Sequence, residues 1–339
     1  MKKVRTEDAV GFVLCHDITK IVPGEFKGRA FKKGHIVRPE DVPELLKLGK
    51  DHLYVWEQGA GTVHEDDAAN RLALAVAGTN LEQSAVSEGK INLSASVSGL
   101  LKVDRVLLEK VNSIEQVVLA TRHNNILVQK GDVVAGTRVI PLVIDEQKIC
   151  AVERICQGKP VLKVKNLQRV RAGLVTTGNE VYHGRITDKF GPVLKRKLAA
   201  LGSAIAGQVF VPDDIDAIKQ ATLDFIGQGV DMVLLSGGMS VDPDDLTPGA
   251  IKATGAQIIG YGAPVLPGSM FLLAYLGEVP IIGLPGCVMY CNSTVFDLVL
   301  PRILAGERLT RSDLVALAYG GLCQQCPECR YPACSFGKA

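Results

Sequence analysis

The distribution of hydrophobic positions becomes regular in the second half of the chain. Runs at 172–177, 207–211 and 230–235 are predominantly apolar, as in strands that are buried on both faces. The segments 189–201 and 214–227 repeat their apolar residues every three or four positions, which is typical of amphipathic helices. This alternation predicts an α/β fold, in which helices cover both faces of a mostly parallel sheet.

The first half of the chain has shorter and less regular elements. A helix is predicted at 39–49, between a proline near its start and a terminal glycine, and a strand follows at 52–56. Helical spacing recurs at 66–78, and several short apolar runs after it indicate strands. This half is therefore predicted to be a mixed α+β, β-rich region. The chain is expected to divide into the four parts 1–60, 61–168, 169–310 and 311–339.

Composition restricts the class of function. The 339 residues include 38 Lys or Arg and 36 Asp or Glu, and a net charge of +2 argues against a bulk nucleic-acid binder. Hydrophobic residues make up 47%, which is enough for large cores and argues against intrinsic disorder. The sequence shows neither a membrane-spanning run nor the apolar stretch of a signal peptide. We therefore expect a cytoplasmic protein that binds neither nucleic acid nor membrane.

Four loops follow the predicted strands, and in a parallel sheet such loops meet at one edge. The first contains Thr177, Gly178 and Glu180, and a hydroxyl with a glycine suits an oxyanion or phosphate that backbone N–H groups approach. An ordinary turn would explain the same residues. In the second loop, Asp213 and Asp214 open a helix. One acid is expected to cap that helix, and the other is then free to bind a metal ion or to position a nucleophile.

The third loop, residues 236–248, has the strongest signal. Its pair of glycines, Gly237 and Gly238, lets the backbone come close to a bulky ligand. Three acids follow within four positions, and Asp245 is the last of them. Carboxylates at such an edge suit Mg²⁺, which takes one or two of them together with substrate phosphates. A solvated acidic loop is the structural alternative.

The fourth loop, residues 283–292, places a Pro-Gly pair before a helical run. Pro285 and Gly286 leave free amide donors at the start of that run, which suit an anion. Pro267 and Gly268 form a similar turn upstream, before another predicted strand.

The cysteines are concentrated near the end of the sequence. Four of them follow the spacing Cys-x₂-Cys-x₂-Cys-x₄-Cys, and these are Cys323, Cys326, Cys329 and Cys334. The spacing predicts one inorganic centre, either a [4Fe–4S] cluster or Zn²⁺, apart from the loop edge. The last gap departs from the ferredoxin pattern, so both metals stay open, and a redox role or no metal is the remaining alternative. Cys287 and Cys291, four apart on one helical face, are interpreted as small apolar packing.

Taken together, the loops resemble the molybdenum-cofactor biosynthesis family of MoeA/MogA-like, molybdopterin-binding domains. Their motifs occur in the family's order: Thr177-Gly178-Asn179-Glu180, Asp213 after a proline, Ser236-Gly237-Gly238 with Ser240, Asp245 before Leu246-Thr247-Pro248, Pro267-Gly268 and Gly283-Leu284-Pro285-Gly286. The resemblance covers roughly residues 170–305. A weaker similarity through 31–37 and 39–56 is to the segment that precedes this domain in the molybdenumtransferase type.

The resemblance implies a MogA-like fold and a molybdopterin-binding protein of cofactor biosynthesis, transferring an adenylyl group or molybdate on molybdopterin with Mg²⁺ and ATP. It assigns the catalytic carboxylates to Asp213 and Asp245. Binding of the pterin or its phosphate is assigned to Thr177, Gly178, Glu180, Ser236, Gly237, Gly238, Ser240, Pro267, Gly268, Pro285 and Gly286. The implied partners are other cofactor-assembly proteins or a molybdoenzyme, and the implied state is a homo-oligomer.

The chain also departs from the family pattern. Family members carry a lysine beside the Pro-Gly turn, where this chain has Leu266 and Ser269, and their Asn-Pro is replaced by Cys287-Val288. A missing cation weakens the electrostatic case for catalysis. The departures favour a non-catalytic molybdopterin carrier or maturation module, whereas the retained acids favour an enzyme. A third hypothesis is a nucleotide pyrophosphatase, because competence-damage-type proteins share this domain.

Overall fold

The computed structural model describes residues 2–22, 26–55 and 61–338. They fall into two compact units, of which the first contains Met1–Ser96, Val103–Arg122 and Lys130–Lys163. The second contains Val97–Lys102, His123–Gln129 and Val164–Ala339. The end of the strand predicted at 52–56 and the boundary expected after residue 60 involve residues 56–60, which lie outside the described ranges. The division into four parts stays a prediction.

The first unit combines short helices with antiparallel strands, and the mixed region predicted for the first half is confirmed. Its helices are Val42–Lys47, Glu65–Val76, Arg105–Asn112 and Glu146–Cys156. Its strands are Lys2–Arg5, Ile18–Val22, Phe26–Phe31, His52–Val55, Thr62–His64, Leu81–Gln83, Lys90–Ala95, Val117–Thr121, Val133–Val139 and Val143–Asp145. Strand Leu162–Lys165 continues from this unit into the second.

A four-stranded antiparallel sheet organises the middle of the first unit. Its order is Leu81–Gln83, Lys90–Ala95, Val133–Val139, Val117–Thr121. Helix Glu65–Val76 packs on this sheet because its apolar side chains recur at helical spacing and are buried on one side. The predicted helical pattern at 66–78 thus corresponds to an observed helix.

The second unit contains the regular alternation. Its main strands are β1 (Arg171–Thr177), β2 (Ala204–Val211), β3 (Met232–Ser236), β4 (Gln257–Tyr261), β5 (Leu272–Leu276) and β6 (Val279–Leu284). Its helices are α1 (Asn179–Tyr182), α2 (Phe190–Ala200), α3 (Ile215–Gly227), α4 (Thr247–Ala253), α5 (Val295–Leu304) and α6 (Arg311–Ala316). Strands Gly99–Val103 and Ile126–Val128 pair antiparallel. None of the helices in the described residues is long and apolar enough to cross a membrane.

The main sheet has six strands in the order β2-β1-β3-β6-β5-β4. The first four are parallel, and β5 and β4 complete the sheet as antiparallel strands. Adjacent residues point to opposite faces, so Leu174 and Leu234 belong to one core and Val175 and Val233 to the other. Helices α2 and α5 cover the first face, whereas α3 and α4 cover the second. The predicted α/β class is therefore confirmed.

The segment after α6 has no further helix or strand in its described part, yet it is packed onto the second unit. The backbone of Leu266 accepts a hydrogen bond from Cys323 N–H at 2.8 Å and donates one to Gly321 at 2.8 Å. The phenol of Tyr331 donates to the Asp297 carbonyl at 3.2 Å. Phe336 is only 2% exposed and belongs to the core beneath α2 and α5. These cysteine-rich residues are therefore part of the domain.

Candidate functional site

The carboxyl ends of β3 and β6 open into a cavity of about 540 Å³, which we call the rim cavity. Parallel strands place the loops that follow them at one edge, so distant stretches of sequence converge there. Of the residues predicted from the sequence, those lining this cavity are Gly237, Gly238, Ser240, Asp245, Pro267, Gly268, Pro285 and Gly286. Phe190, Met239 and Tyr290 add apolar walls.

Thr177 and Ser236 lie beneath the rim cavity and support its loops. Both are almost fully buried. The Thr247 hydroxyl lies 3.4 Å from that of Thr177 and donates to the Gly237 carbonyl at 2.8 Å. The Ser236 hydroxyl donates to Thr176 Oγ1 at 3.2 Å. The hydroxyl groups of these buried side chains therefore have hydrogen-bond partners within the protein. Neither Thr177 nor Ser236 is among the described residues that line the cavity.

The first two loops are tied to each other beside the cavity. Asp213 Oδ2 accepts a hydrogen bond from the Asn179 N–H at 2.9 Å. Asp214 caps α3 by accepting from Ala217 N–H at 2.8 Å. One of the two acids is thus the cap, as expected, but Asp213 is engaged by the first loop rather than free. Gly178, Glu180 and Asp213 are not among the described lining residues, so their functional roles stay predictions.

The glycine pair is required by the contact between loops. Gly237 has φ +94°, and a Cβ built on it would lie 2.3 Å from the Thr177 carbonyl oxygen. Gly238 has φ +58°, and its Cβ would lie 2.7 Å from Thr247 Oγ1. A side chain at either position would therefore displace protein atoms, whether or not a ligand is bound. Gly286 differs, because a Cβ there meets no atom within 4 Å.

Asp245 is the carboxylate of the rim cavity. Its Oδ2 accepts the backbone N–H of Asp242 at 3.1 Å, and its side chain is partly exposed. The Tyr261 hydroxyl fixes the same loop by donating to the carbonyls of Met239, at 3.0 Å, and Ser240, at 3.3 Å. Burial, and then the charge of Asp245, raise the pKa of Tyr261, which keeps the phenol protonated as a donor. Tyr261 was not predicted, because only the folded sheet brings β4 to this loop.

Positive charge lies beside the rim cavity. No lysine or arginine is among the described residues that line it. Arg196 and Lys197 of α2 line an adjoining cavity of about 250 Å³, which shares Met289 and Tyr290 with the rim cavity. Lys197 is already paired with Asp297. Among the described residues, Arg196 is therefore the cation beside the rim cavity that has no such ion pair, and it was not predicted from the sequence.

The four predicted metal-ligating cysteines, Cys323, Cys326, Cys329 and Cys334, line one further cavity of about 460 Å³, the cysteine cavity. Cys291, which was interpreted as packing, lines it as well. Pro267 and Tyr290 line both the cysteine cavity and the rim cavity. The cysteine cavity thus adjoins the rim cavity, and the expected separation of a metal centre from the loop edge stays a prediction.

Within the described residues, no three His, Cys, Asp or Glu side chains are grouped to hold a single metal ion. The cysteine thiols are all free. Metal binding at the cysteine cavity stays a prediction.

Comparison with known families adds an independent observation. Residues 173–305 match the family model described as a probable molybdopterin binding domain. This segment belongs to that family. The resemblance inferred from the loops is confirmed, and every residue lining the rim cavity lies within the molybdopterin-binding family domain. Residues 3–57 match a second model, described as a domain of unknown function, DUF8806.

Relatives of the molybdopterin-binding family domain have different names. A molybdopterin molybdenumtransferase of Synechococcus elongatus is 28% identical over 156 residues, which are 43% of this chain and 39% of the relative. A CinA-like protein of Mycolicibacterium vanbaalenii is 44% identical over 78 residues, which are 23% of this chain and 18% of the relative. The chain thus spans less than half the length of these relatives.

Solved structures also align with part of the chain. A molybdopterin biosynthesis enzyme MoaB from Thermus thermophilus is 22% identical, with a TM-score of 0.34, and the match covers 41% of this chain and 98% of that one. A MogA structure is 20% identical, with a TM-score of 0.30, over 39% of this chain and 92% of that one.

Proposed function

We propose that the rim cavity binds molybdopterin, and that the protein transfers an adenylyl group or molybdate on the bound pterin in molybdenum-cofactor biosynthesis. The observation that carries the proposal is the convergence of separately predicted loops on one cavity within the family-matched segment. A volume of about 540 Å³ suits a small-molecule ligand. Apolar walls suit the pterin ring, while Ser240 and Ser269 offer hydroxyl donors to its phosphate.

In this proposal the carboxylates have separate roles. Asp245 lines the cavity and supplies a ligand for Mg²⁺, which would neutralise charge on the transferred group. Asp213 positions the first loop, with Gly178 and Glu180, through its hydrogen bond to Asn179. ATP and molybdate are the co-substrates. The cysteines Cys323, Cys326, Cys329 and Cys334 hold [4Fe–4S] or Zn²⁺. The proposed setting is a cytoplasmic homo-oligomer that meets other cofactor-assembly proteins or a molybdoenzyme.

Two other functions compete with this one. The 44% identity to a CinA-like protein supports a nucleotide pyrophosphatase. The absence of lysine and arginine from the described lining of the rim cavity supports a molybdopterin carrier without catalysis.

One incubation separates the three hypotheses. Purified protein is mixed with molybdopterin, ATP, molybdate and Mg²⁺, and products are identified by mass spectrometry. Adenylylated or metallated pterin supports the transferase, whereas bound but unchanged pterin supports the carrier. Cleavage of a nucleotide pyrophosphate bond in the absence of pterin supports the pyrophosphatase. A protein that neither binds pterin nor cleaves nucleotides would contradict all three.

Gly286→Ala tests ligand binding at the rim cavity without disturbing the loops. The added methyl group meets no protein atom within 4 Å, and Gly286 lines the rim cavity, so the methyl group would occupy space next to the ligand. We expect the affinity for molybdopterin to fall about tenfold, a loss of about 1.4 kcal/mol, with an unchanged melting temperature. Gly227→Ala, equally open but absent from the described lining of the rim cavity, is the control. Equal affinity for molybdopterin in both variants would show that Gly286 does not contact the bound pterin.

Arg196→Ala tests whether the adjoining cations attract the anionic ligand. An exposed charge near the cavity contributes a modest, screened attraction, so we expect an affinity loss of about fivefold, or roughly 1 kcal/mol, at low salt. The loss should shrink as salt is raised. Lys195→Ala, an exposed neighbour outside the described lining of that cavity, is the matched control. The same salt dependence in both variants would assign the effect to overall charge.

A further inference from the structure

The cysteines of the cysteine cavity come from two separate segments. Cys323, Cys326 and Cys329 come from the run after α6, whereas Cys291 lies in the fourth rim loop. The backbone of Cys291 is fixed by donation to the Cys287 carbonyl at 2.8 Å. The adjacent Tyr290 lines both cavities. The fold thus brings the thiol of Cys291 to the same cavity as the thiols of residues 320–338, which we call the tail.

The cysteine cavity is large enough to hold a cluster. Its volume is about 460 Å³, and five cysteines line it. A [4Fe–4S] cluster is larger than a single ion and is held by four thiolates, one at each iron.

Polar groups are directed at the sulfur atoms. The Gln325 N–H donates to Cys323 Sγ at 3.4 Å, and the Ser293 hydroxyl lies 3.7 Å from Cys329 Sγ. Hydrogen bonds to thiolate sulfur are among the contacts that stabilise bound clusters and set their reduction potentials. The guanidinium-bearing Arg330 also lines the cavity and can offset the negative charge of four thiolates.

The spacing of the tail cysteines accounts for three of the four thiolates that bind a [4Fe–4S] cluster, so the fourth ligand must be identified separately. In two-cluster ferredoxins, three cysteines spaced Cys-x₂-Cys-x₂-Cys bind one cluster, and a cysteine from elsewhere in the chain completes it. Cys323, Cys326 and Cys329 have this spacing, and Cys291 lies across the cavity from a different segment. Cys334 follows after a longer gap of four residues, which departs from this spacing.

We propose that the cysteine cavity is a [4Fe–4S] site whose ligands are Cys291, Cys323, Cys326 and Cys329. The inference rests on the proposed metal at the tail and changes its fourth ligand from Cys334 to Cys291. Because Cys291 adjoins Tyr290, the cluster would link the tail to the wall of the rim cavity. The four thiols release their protons when the iron binds.

The test uses the full chain, purified anaerobically and reconstituted with Fe²⁺ and sulfide. Iron and acid-labile sulfide are measured per chain, and the dithionite-reduced protein is examined by electron paramagnetic resonance. We expect about four irons in the wild type and in Cys334→Ser. Cys291→Ser should lose at least half of its iron and the signal of the four-iron cluster. Cys287→Ser is the matched control, since Cys287 is in the same loop but outside the described lining of the cysteine cavity.

Circular dichroism of each variant shows whether it has folded. Full iron in Cys291→Ser together with loss in Cys334→Ser would overturn the proposal in favour of the tail set. One zinc per chain, or no metal after reconstitution, would overturn it as well. Pterin bound to the same samples is measured separately by fluorescence. Pterin without iron refutes only the cluster, and iron without pterin refutes only the proposed function.

Discussion

Asp245→Asn is expected to lower Mg²⁺-dependent turnover at least a hundredfold, equivalent to about 2.7 kcal/mol of transition-state stabilisation. Asparagine keeps the size of the side chain and still accepts the Asp242 N–H, so the loop should keep its conformation. It lacks the negative charge that holds a divalent cation against the substrate phosphates. Initial rates at several Mg²⁺ concentrations, with pterin affinity measured in parallel, separate loss of catalysis from loss of binding.

The matched control for this experiment is Asp244→Asn. Asp244 is in the same loop but is exposed, and it is absent from the described lining of the rim cavity. The Asp244→Asn substitution removes the same charge one residue away from Asp245. Because an exposed charge is screened, the turnover of this variant should stay within about twofold of wild type. Wild-type turnover in Asp245→Asn would exclude a catalytic Mg²⁺ at this carboxylate. Equal losses in both variants would indicate a general effect of loop charge.

Phe336→Ala is expected to lower the free energy of unfolding by about 3 kcal/mol. The ring is 2% exposed and belongs to the core beneath α2 and α5, where its centroid lies 6.1 Å from that of Tyr331. Truncation removes buried apolar surface and leaves a cavity that the neighbouring side chains fill only in part. Urea unfolding followed by circular dichroism measures the change. Hydrogen exchange then shows whether the loss is confined to the second unit.

Leu322→Ala is the control for the packing of the tail. Leu322 is 68% exposed, and its truncation should change stability by less than about 0.5 kcal/mol. A similarly small effect of Phe336→Ala would mean that the tail contributes little to the core in solution. If the expected loss is found, deletion of the tail cannot serve as a clean test of metal binding, because it would also remove Phe336 from the core and the hydrogen bond from Cys323 to Leu266.

The α/β fold could be predicted because the hydrophobic pattern of each strand and helix lies within a short stretch of the sequence. Strands such as β3 are apolar throughout, while α2 and α3 repeat their apolar positions at helical spacing. Parallel order then places the following loops at one edge, which is why Asp245 and Gly286 were predicted to meet. The fold class follows from this pattern, whereas the family was recognised from the motifs in the loops.

Contacts between distant residues could not be predicted in this way. The hydrogen bond from Asn179 to Asp213 spans two loops, and Tyr261 reaches the Gly-Gly loop from another strand. The glycine pair was attributed to a ligand, whereas its close neighbours are Thr177 and Thr247. Cys291 is four residues from Cys287 in the sequence, yet it lines a cavity with cysteines more than thirty residues later. Such pairings depend on tertiary packing, which spacing along one element does not encode.

The burial of Phe336 has a consequence for biosynthesis. All the rim loops leave the ribosome before this residue does, and until it arrives one side of the hydrophobic core stays open to water. A nascent chain with exposed apolar surface is prone to aggregate and is a substrate for chaperones. The ligand cavity and its neighbouring cysteines would therefore mature together, once Phe336 has been synthesised and has joined the core.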